Sequence, residues 1–409
     1  MPINSGDTAW LLVSAAMVLF MTPGLAFFYG GMARRKNLLS TLMMSFVMIG
    51  IVGLIWVLYG YSLGFGPDLG GFVGNLSFLG MKGVGPLPST VYATTVPQSA
   101  YAMYQGMFAI ITVALITGSV VERIKFSSLI VFAVAWMTLI YAPVANWVWG
   151  GGWLAKLGAL DFAGGTVVHI NAGVSALALA MLLGKRKGFP QEPMEPNNIP
   201  LVVLGAGILW FGWFGFNAGS ALAANGLASS AFLNTNTAAA AASLTWMFLS
   251  WRQRKPAVLG AVTGAVAGLV AITPAAGYVT PMAAITIGIV VSFISFYSLI
   301  LIKNKIKFDD ALDVFACHGM GGIWGAIATG IFATTAINAA GSGAVDGNWI
   351  QILKQLAAVG AVAGFAFVGT LIIGKVIDKT LGLRVKSVDE IVGLDISQHG
   401  ERAYGGLMR

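Results

Sequence analysis

The sequence predicts an all-α polytopic membrane protein: eleven transmembrane helices, the amino terminus outside and the carboxyl terminus inside, built as an inverted five-plus-five helix repeat with one extra helix. Three observations lead there. Of 409 residues, 57% are hydrophobic and 9% charged, with a mean hydropathy of +0.83, where an ordinary soluble domain is about 25% charged. Apolar windows of ~20 residues, enough to cross a ~30 Å hydrocarbon core, recur along the whole chain. All but Lys82, Lys156 and Lys354 of the 23 Lys and Arg fall on one side of the spans these windows define, as in short cytoplasmic loops. The net charge of +8 therefore reflects topology, and a soluble enzyme, a disordered chain and a nucleic-acid binder are excluded.

The first window, 8–31, runs directly into Arg34, Arg35 and Lys36, and residues 1–7 carry no basic n-region. It reads as a retained helix and not a cleaved signal. Windows at 38–63 and 98–121 follow, the latter closed by Arg123 and Lys125; then 126–149 and 163–184, closed by Lys185, Arg186 and Lys187. After a polar segment the pattern resumes at 201–221. The window 234–251 is short and alanine-rich, and leads to Arg252, Arg254 and Lys255; 257–277 is interrupted by Thr273-Pro274. Next come 282–302, with Lys303, Lys305 and Lys307, then 311–336 and 349–376. Residues 1–376 form the membrane domain, with repeats at about 8–184 and 201–336, and 377–409 form a polar cytoplasmic tail bearing Lys379, Arg384, Lys386, Arg402 and Arg409. The 54 glycines, without a G-X-Y period, suit apolar helices packed closely in lipid. No β-barrel alternation is present, and a single cysteine provides neither a disulfide framework nor a thiolate metal site.

The repeat is read from the two histidines in the apolar body. His169 lies eight residues after Asp161, and His318 eight after Asp310; each is followed by a glycine-bearing stretch, Ile170-Asn171-Ala172-Gly173 and Gly319-Met320-Gly321-Gly322. Phe28-Tyr29-Gly30-Gly31 and Phe216-Asn217-Ala218-Gly219 form a weaker echo. Five helices is an odd number, so the second copy enters the membrane inverted and equivalent helices meet near the midplane. The two histidines should face each other there. Eight helical residues is ~12 Å and ~80° of rotation, too far for either aspartate to touch its histidine. Asp161 should instead cap a helix starting at Phe162 or Ala163, and Asp310 should do the same at the opposite membrane face.

An ionisable side chain inside a bilayer is costly and therefore a functional candidate. Paired imidazoles admit three uses. They can merely bridge helices, they can hold a haem between them, or they can line a narrow pore in which each offers a donor and an acceptor. Such a pore gives a metal ion nothing to replace its hydration shell, but passes a small neutral hydrogen-bonding solute. Cys317 points ~100° away from His318 on a helix, and no further metal ligand is within helical reach. Trp147, Trp149 and Trp153 fit an interfacial belt or a cation-binding indole face. Phe108 and Phe216 fit either packing or the pore wall.

These residues also carry a family resemblance. Asp161-Phe-Ala-Gly-Gly-Thr-Val-Val-His169-Ile-Asn-Ala-Gly173 resembles the signature of the Amt/MEP/Rh ammonium transporters, on the Amt side. Pro23-Gly-Leu-Ala-Phe-Phe-Tyr-Gly-Gly31, Glu122-Arg-Ile-Lys125, Trp213-Phe-Gly-Phe216-Asn-Ala-Gly-Ser220 and Asp310-Ala-Leu-Asp313-Val-Phe-Ala-Cys-His318-Gly are similar to it in order. So are Gly393-Leu-Asp395 and His399-Gly-Glu401-Arg-Ala-Tyr404 in the tail.

The resemblance implies an ammonium transporter, not an enzyme, in the cytoplasmic membrane, with no cofactor and no resident metal. Trp149, Phe108 and Ser220 match an outer cation-recruitment site, with Tyr104 where the family often has phenylalanine. Asp161 matches the buried carboxylate that supports that site, Phe108 and Phe216 the stacked rings that gate the pore, and His169 and His318 the twin histidines of the lumen. A homotrimer with one pore per subunit is implied, as is control by a PII-type signalling protein at the cytoplasmic face, with Gly393, Asp395, Glu401 and Tyr404 marking the regulatory tail. The expected mechanism is loss of a proton near the phenylalanines and passage of ammonia past the histidines, with coupled proton movement making transport electrogenic; methylammonium is a possible second substrate. Two other readings remain at this stage, a haem-bearing redox subunit and an ammonium sensor that conducts little.

Overall fold

Apolar segments with no water to satisfy their peptide groups must close their hydrogen bonds internally, and the windows become helices almost where expected. The computed structural model describes residues 2–253 and 255–404; Arg254, Gly405 and Arg409, assigned above to a basic loop and to the tail, lie outside the described residues. Nine helices among the described residues are long and apolar enough to cross a membrane. These are α1 (Ser5–Met32), α2 (Arg35–Phe65), α3 (Gln98–Val120), α4 (Phe126–Leu157), α5 (Gly165–Leu183), α6 (Ile199–Ala221), α9 (Pro281–Ile306), α10 (Phe315–Phe332) and α11 (Ile350–Thr380). Between α6 and α9 lie α7 (Gly226–Gln253) and α8 (Val258–Ile272). The chain is thus a helical polytopic membrane protein.

The two expected spans that fall outside these nine, α8 only because it is short, are still helical. The α7 segment begins at Gly226, eight residues before the expected 234, because Asn225 caps it through Leu227 and Ala228 N–H. Its polar start is not wasted: buried Asn234 donates to the carbonyls of Ala276 and Val279, at 2.9 and 2.7 Å. The α8 helix stops at Ile272 and the chain turns through Thr273–Tyr278, so the expected window to 277 is cut short by Thr273-Pro274, where the proline ring has no N–H to continue the ladder.

Glycine decides how closely helices approach. A Cβ at Gly205 on α6 would lie 2.3 Å from the backbone nitrogen of Phe28 on α1, and one at Gly173 on α5 would lie 2.2 Å from that of Gly319 on α10. The second crossing sets the two histidines. Both helices open with a π-helical turn, Gly165–Ile170 and Phe315–Gly319, each carrying its histidine.

At the Arg- and Lys-rich end some of the loop charges are buried and paired. Arg186 is only 4% exposed and Glu122 and Asp309 1% and 2%. Glu122 Oε2 pairs with Arg34 Nε at 2.6 Å and Arg186 Nη1 at 3.4 Å, and Asp309 takes Arg186 Nη2 at 2.8 Å. This network ties the ends of α1, α3 and α5 to the segment before α10. The tail, expected to be too polar to bury, docks on the same end as α12 (Ser387–Val392) and α13 (Leu394–His399), and α11 itself runs to Thr380, past the expected 376. Leu394 and Asp395 are 0% and 3% exposed, because the start of α2 supplies partners: Asn37 Oδ1 accepts from Leu394 N and Asp395 Oδ1 from Ser40 N, both at 2.8 Å.

Candidate functional site

A chamber opens at the end of the molecule opposite the tail, lined by Trp149, Phe108, Ser220 and Asp161, with Tyr101 and Gln105. The α4 segment breaks here, α-helical to Val148 and resuming at Trp153, which leaves Trp149 free to turn its ring inward. Its indole N–H donates to the Asp161 carbonyl at 3.0 Å. The Asp161 carboxylate is taken up by the turn that follows it. Oδ1 accepts from Gly164 N and Gly165 N and Oδ2 from Thr166 N, all at 2.7 Å, with the Thr166 hydroxyl also on Oδ2. It is a helix cap, as expected, but of a helix that begins at Gly165 and not at Phe162 or Ala163; Phe162 N–H is instead taken by the Pro274 carbonyl at 3.1 Å. Of the three tryptophans, Trp147 bonds the Phe72 carbonyl at 2.9 Å and packs on Phe365, away from the chamber.

Phe108 and Phe216 form the chamber floor, their centroids 4.2 Å apart at 37°. Both are 1% exposed. Phe108 also meets Trp149 edge-on at 5.8 Å. Ser220 sits in the short 3-10 turn, Gly219–Ala221, that ends α6, where the last helical carbonyls and the negative end of the helix dipole favour a cation. Tyr104 is fully buried behind Phe108; it is not among the chamber-lining side chains, and its hydroxyl reaches Ser220 at 3.1 Å.

Below the floor, Phe216, His169 and His318 continue a single column. His169 stacks on Phe216 at 5.9 Å and on His318 at 5.3 Å, and Trp213 covers it at 5.4 Å. The two Nδ1 atoms lie 3.2 Å apart, so one ring carries the shared hydrogen and the other accepts it. His169 Nε2 is buried with no partner among the described residues. The surrounding lumen is aliphatic and narrow, with Met21, Leu25, Leu115 and Val266 on its wall. Such a column offers one donor and one acceptor to a small guest and nothing to a bare cation. It also has no haem-sized gap: the two rings lie against each other, 5.3 Å between centroids at 26° and joined Nδ1 to Nδ1, within a narrow aliphatic wall.

A second chamber lies on the far side of His318, bordered by Tyr29, Trp246, Thr263, Asp313 and Cys317. Asp313 pairs with Lys303 at 2.7 Å. Asp310 caps α10 through Phe315 N–H at 2.7 Å, as expected, while its buried Oδ1 accepts no hydrogen bond among the described residues, the nearby Ser119 hydroxyl donating to Ala176 O at 3.0 Å. Burial, and then the neighbouring Asp313 charge, push the Asp310 carboxyl up to about 6.

The tail residues divide. Gly393 takes φ +110° where a Cβ would strike Lys36 at 2.6 Å, and Asp395 is buried against Ser40. Glu401 is exposed, and Tyr404 lies under the Arg35 guanidinium, 5.0 Å from ring centroid to carbon. His399 packs on Phe126 at 4.9 Å. Residues missed in the sequence include Trp213, which had a signal, being one helical turn from Phe216, and the Glu122–Arg186–Asp309 network, which had none beyond its charge.

The model of the Ammonium Transporter Family matches residues 9–404. The chain is 51% identical over 408 residues to an ammonium transporter of Bacillus subtilis, covering 99% of this chain and 100% of that one. It is 49% identical over 402 residues to the ammonium transporter Amt1 of Archaeoglobus fulgidus, covering 98% and 100%. Among solved structures it resembles Mep2 of Saccharomyces cerevisiae with a TM-score of 0.89 at 36% identity, covering 94% and 88% of the two chains. A sensor Amt protein is similar with a TM-score of 0.88 at 29% identity, covering 96% and 98%.

Proposed function

This chain belongs to the ammonium transporter family, and from that premise we propose that it recruits ammonium at the Trp149 chamber, deprotonates it at the phenylalanine pair and conducts ammonia past His169 and His318. The observation that carries this reading is the column itself, an aromatic-walled chamber closed by two phenyl rings above a pair of hydrogen-bonded imidazoles. Ammonium and potassium carry the same charge, so selection must use what only ammonium has, directed N–H donors and a removable proton. A desolvated cation–π contact is worth up to ~2 kcal/mol and a hydroxyl accepting from a charged donor ~1.5 to 3. Together these favour ammonium at Trp149, Phe108 and Ser220. They do not meet the cost of carrying the intact ion into an apolar lumen, which is on the order of 10 kcal/mol or more in an idealised medium.

The proton travels too in this reading, by way of the histidines, so that transport is electrogenic. Asp161 acts from behind, by holding the start of α5 and the indole of Trp149. The topology that accompanies this mechanism has eleven crossings, α7 and α8 included, with an inverted repeat and the Trp149 chamber outside. The distribution of Lys and Arg supports the tail being cytoplasmic and the protein residing in the cytoplasmic membrane. Residues 1–376 are the transport domain and 377–409 the regulatory tail, of which Gly393 and Asp395 have the firmest anchors. Assembly as a homotrimer, acceptance of methylammonium and control by a PII-type protein rest on the family resemblance.

The test is current on a solid-supported membrane carrying reconstituted protein, pulsed with ammonium and then with potassium. Current for ammonium alone is expected. An ammonium gradient that moves ammonia without charge would overturn the coupled mechanism, and no flux of either form would favour a sensor.

A further inference from the structure

Tyr104 is held in an unusual place for a tyrosine. It is 0% exposed, yet its hydroxyl has three oxygen neighbours: the carbonyls of Gly215 and Phe216, both at 2.9 Å, and Ser220 Oγ at 3.1 Å. Ser220 in turn lies 2.9 Å from the Phe216 carbonyl. This close approach to the end of α6 depends on Gly219, where a Cβ would sit 2.8 Å from the Tyr104 hydroxyl.

We infer that Tyr104 is a positioning residue for cation recruitment: its hydroxyl clamps Ser220 so that the Ser220 oxygen presents a lone pair, and not its hydrogen, to the chamber. The hydrogen count carries the argument. Two hydroxyl hydrogens share one small region with two carbonyls, and a hydroxyl both donates and accepts. With Tyr104 donating to Gly215, the Ser220 hydrogen has two inward acceptors, the Phe216 carbonyl and the Tyr104 oxygen. With phenylalanine at 104 one of these disappears, and the serine is tethered at a single point. A side chain already fixed in its binding rotamer loses less on binding, so the tyrosine favours a ligand made only of donors, such as ammonium. The inference rests on the recruitment role proposed for Ser220.

The experiment is a double-mutant cycle on ammonium-evoked current, with Tyr104→Phe, Ser220→Ala and the pair. Tyr104→Phe strands no acceptor, since Gly215 O keeps the Gly219 N–H and Phe216 O keeps the Ser220 hydroxyl. Its half-saturating ammonium concentration should rise roughly three- to tenfold, the scale of one hydrogen bond, at unchanged maximal current. In the Ser220→Ala background the same substitution should do nothing further. No effect of Tyr104→Phe alone, an equal effect in both backgrounds, or a fall in maximal current at unchanged affinity would overturn the inference and leave the recruitment reading standing. If Ser220→Ala alone leaves affinity unchanged, the recruitment role of Ser220 fails and this inference with it.

Discussion

His169 and His318, separated by 149 residues in the chain, meet Nδ1 to Nδ1 at 3.2 Å because Gly173 and Gly319 let α5 and α10 cross with almost no space between their backbones. Replacing both histidines by alanine widens the lumen and removes its only donor–acceptor pair. Ammonium current should fall at least about tenfold, equivalent to ~1.4 kcal/mol, or potassium should begin to carry current. Unchanged flux and selectivity in the double variant would defeat the proton-handling role.

The Asp161 carboxylate collects the N–H groups of Gly164, Gly165 and Thr166 and the Thr166 hydroxyl. Asp161→Ala orphans all of them in a buried setting, at ~1 to 3 kcal/mol for each group left without water. The variant should melt several degrees lower in detergent and lose ammonium current together, because the same turn holds Trp149. A stable, inactive variant would instead assign Asp161 a direct part in proton transfer.

Asp310 gives the pH dependence a sign. Its ordinary value is 3.8 and in the folded chain it lies near 6, so between those values the folded state holds a proton that the unfolded state has released. This residue therefore makes the protein more stable as pH falls from above 6 toward 4, and less stable as pH rises through 6. Asp310→Asn should flatten that part of the stability profile, measured as melting temperature against pH. The same slope in the variant would assign it to other groups.

Gly393 adopts φ +110°, ψ +143° against Lys36, and a Cβ in that sparsely populated region costs ~1 to 3 kcal/mol in backbone strain before the clash is counted. Gly393→Ala should release α12 and α13 from the start of α2, seen as faster tryptic cleavage at Arg384 and Lys386 with the membrane helices intact. Cleavage at the original rate would show that the tail anchors elsewhere.

Much of this was legible in one dimension. Hydropathy and length located the membrane helices to within a few residues except α4, which resumes after its break and runs to Leu157, α7, whose alanine-rich, polar start carries no apolar signal, and α8, which was expected to continue through Thr273-Pro274; the short tail helices α12 and α13 carry no such signal. The spacing of Asp161 to His169 and Asp310 to His318 identified two caps and the lumen pair. Tyr104 was expected to touch the cation; its ring lies buried against Phe108, off the chamber wall, which no linear pattern indicates. Arg34, Arg123 and Arg186 were counted as loop charges, although Arg34 and Arg186 join a buried ion network and Arg123 holds the Asp309 carbonyl at 2.7 Å.

The sequence by itself determined the membrane fold and the family, because hydrophobic length and charge asymmetry are properties of contiguous segments and the family motifs are local. Only the tertiary structure decided which polar groups share partners: that two hydroxyls divide the end of α6, that Asp161 is saturated while Asp310 keeps an oxygen unpaired among the described residues, and that the tail is buried at Leu394. Hydrogen bonds form over ~3 Å between residues hundreds of positions apart, and helix crossings set by close glycine contacts fix those distances in ways no linear pattern encodes.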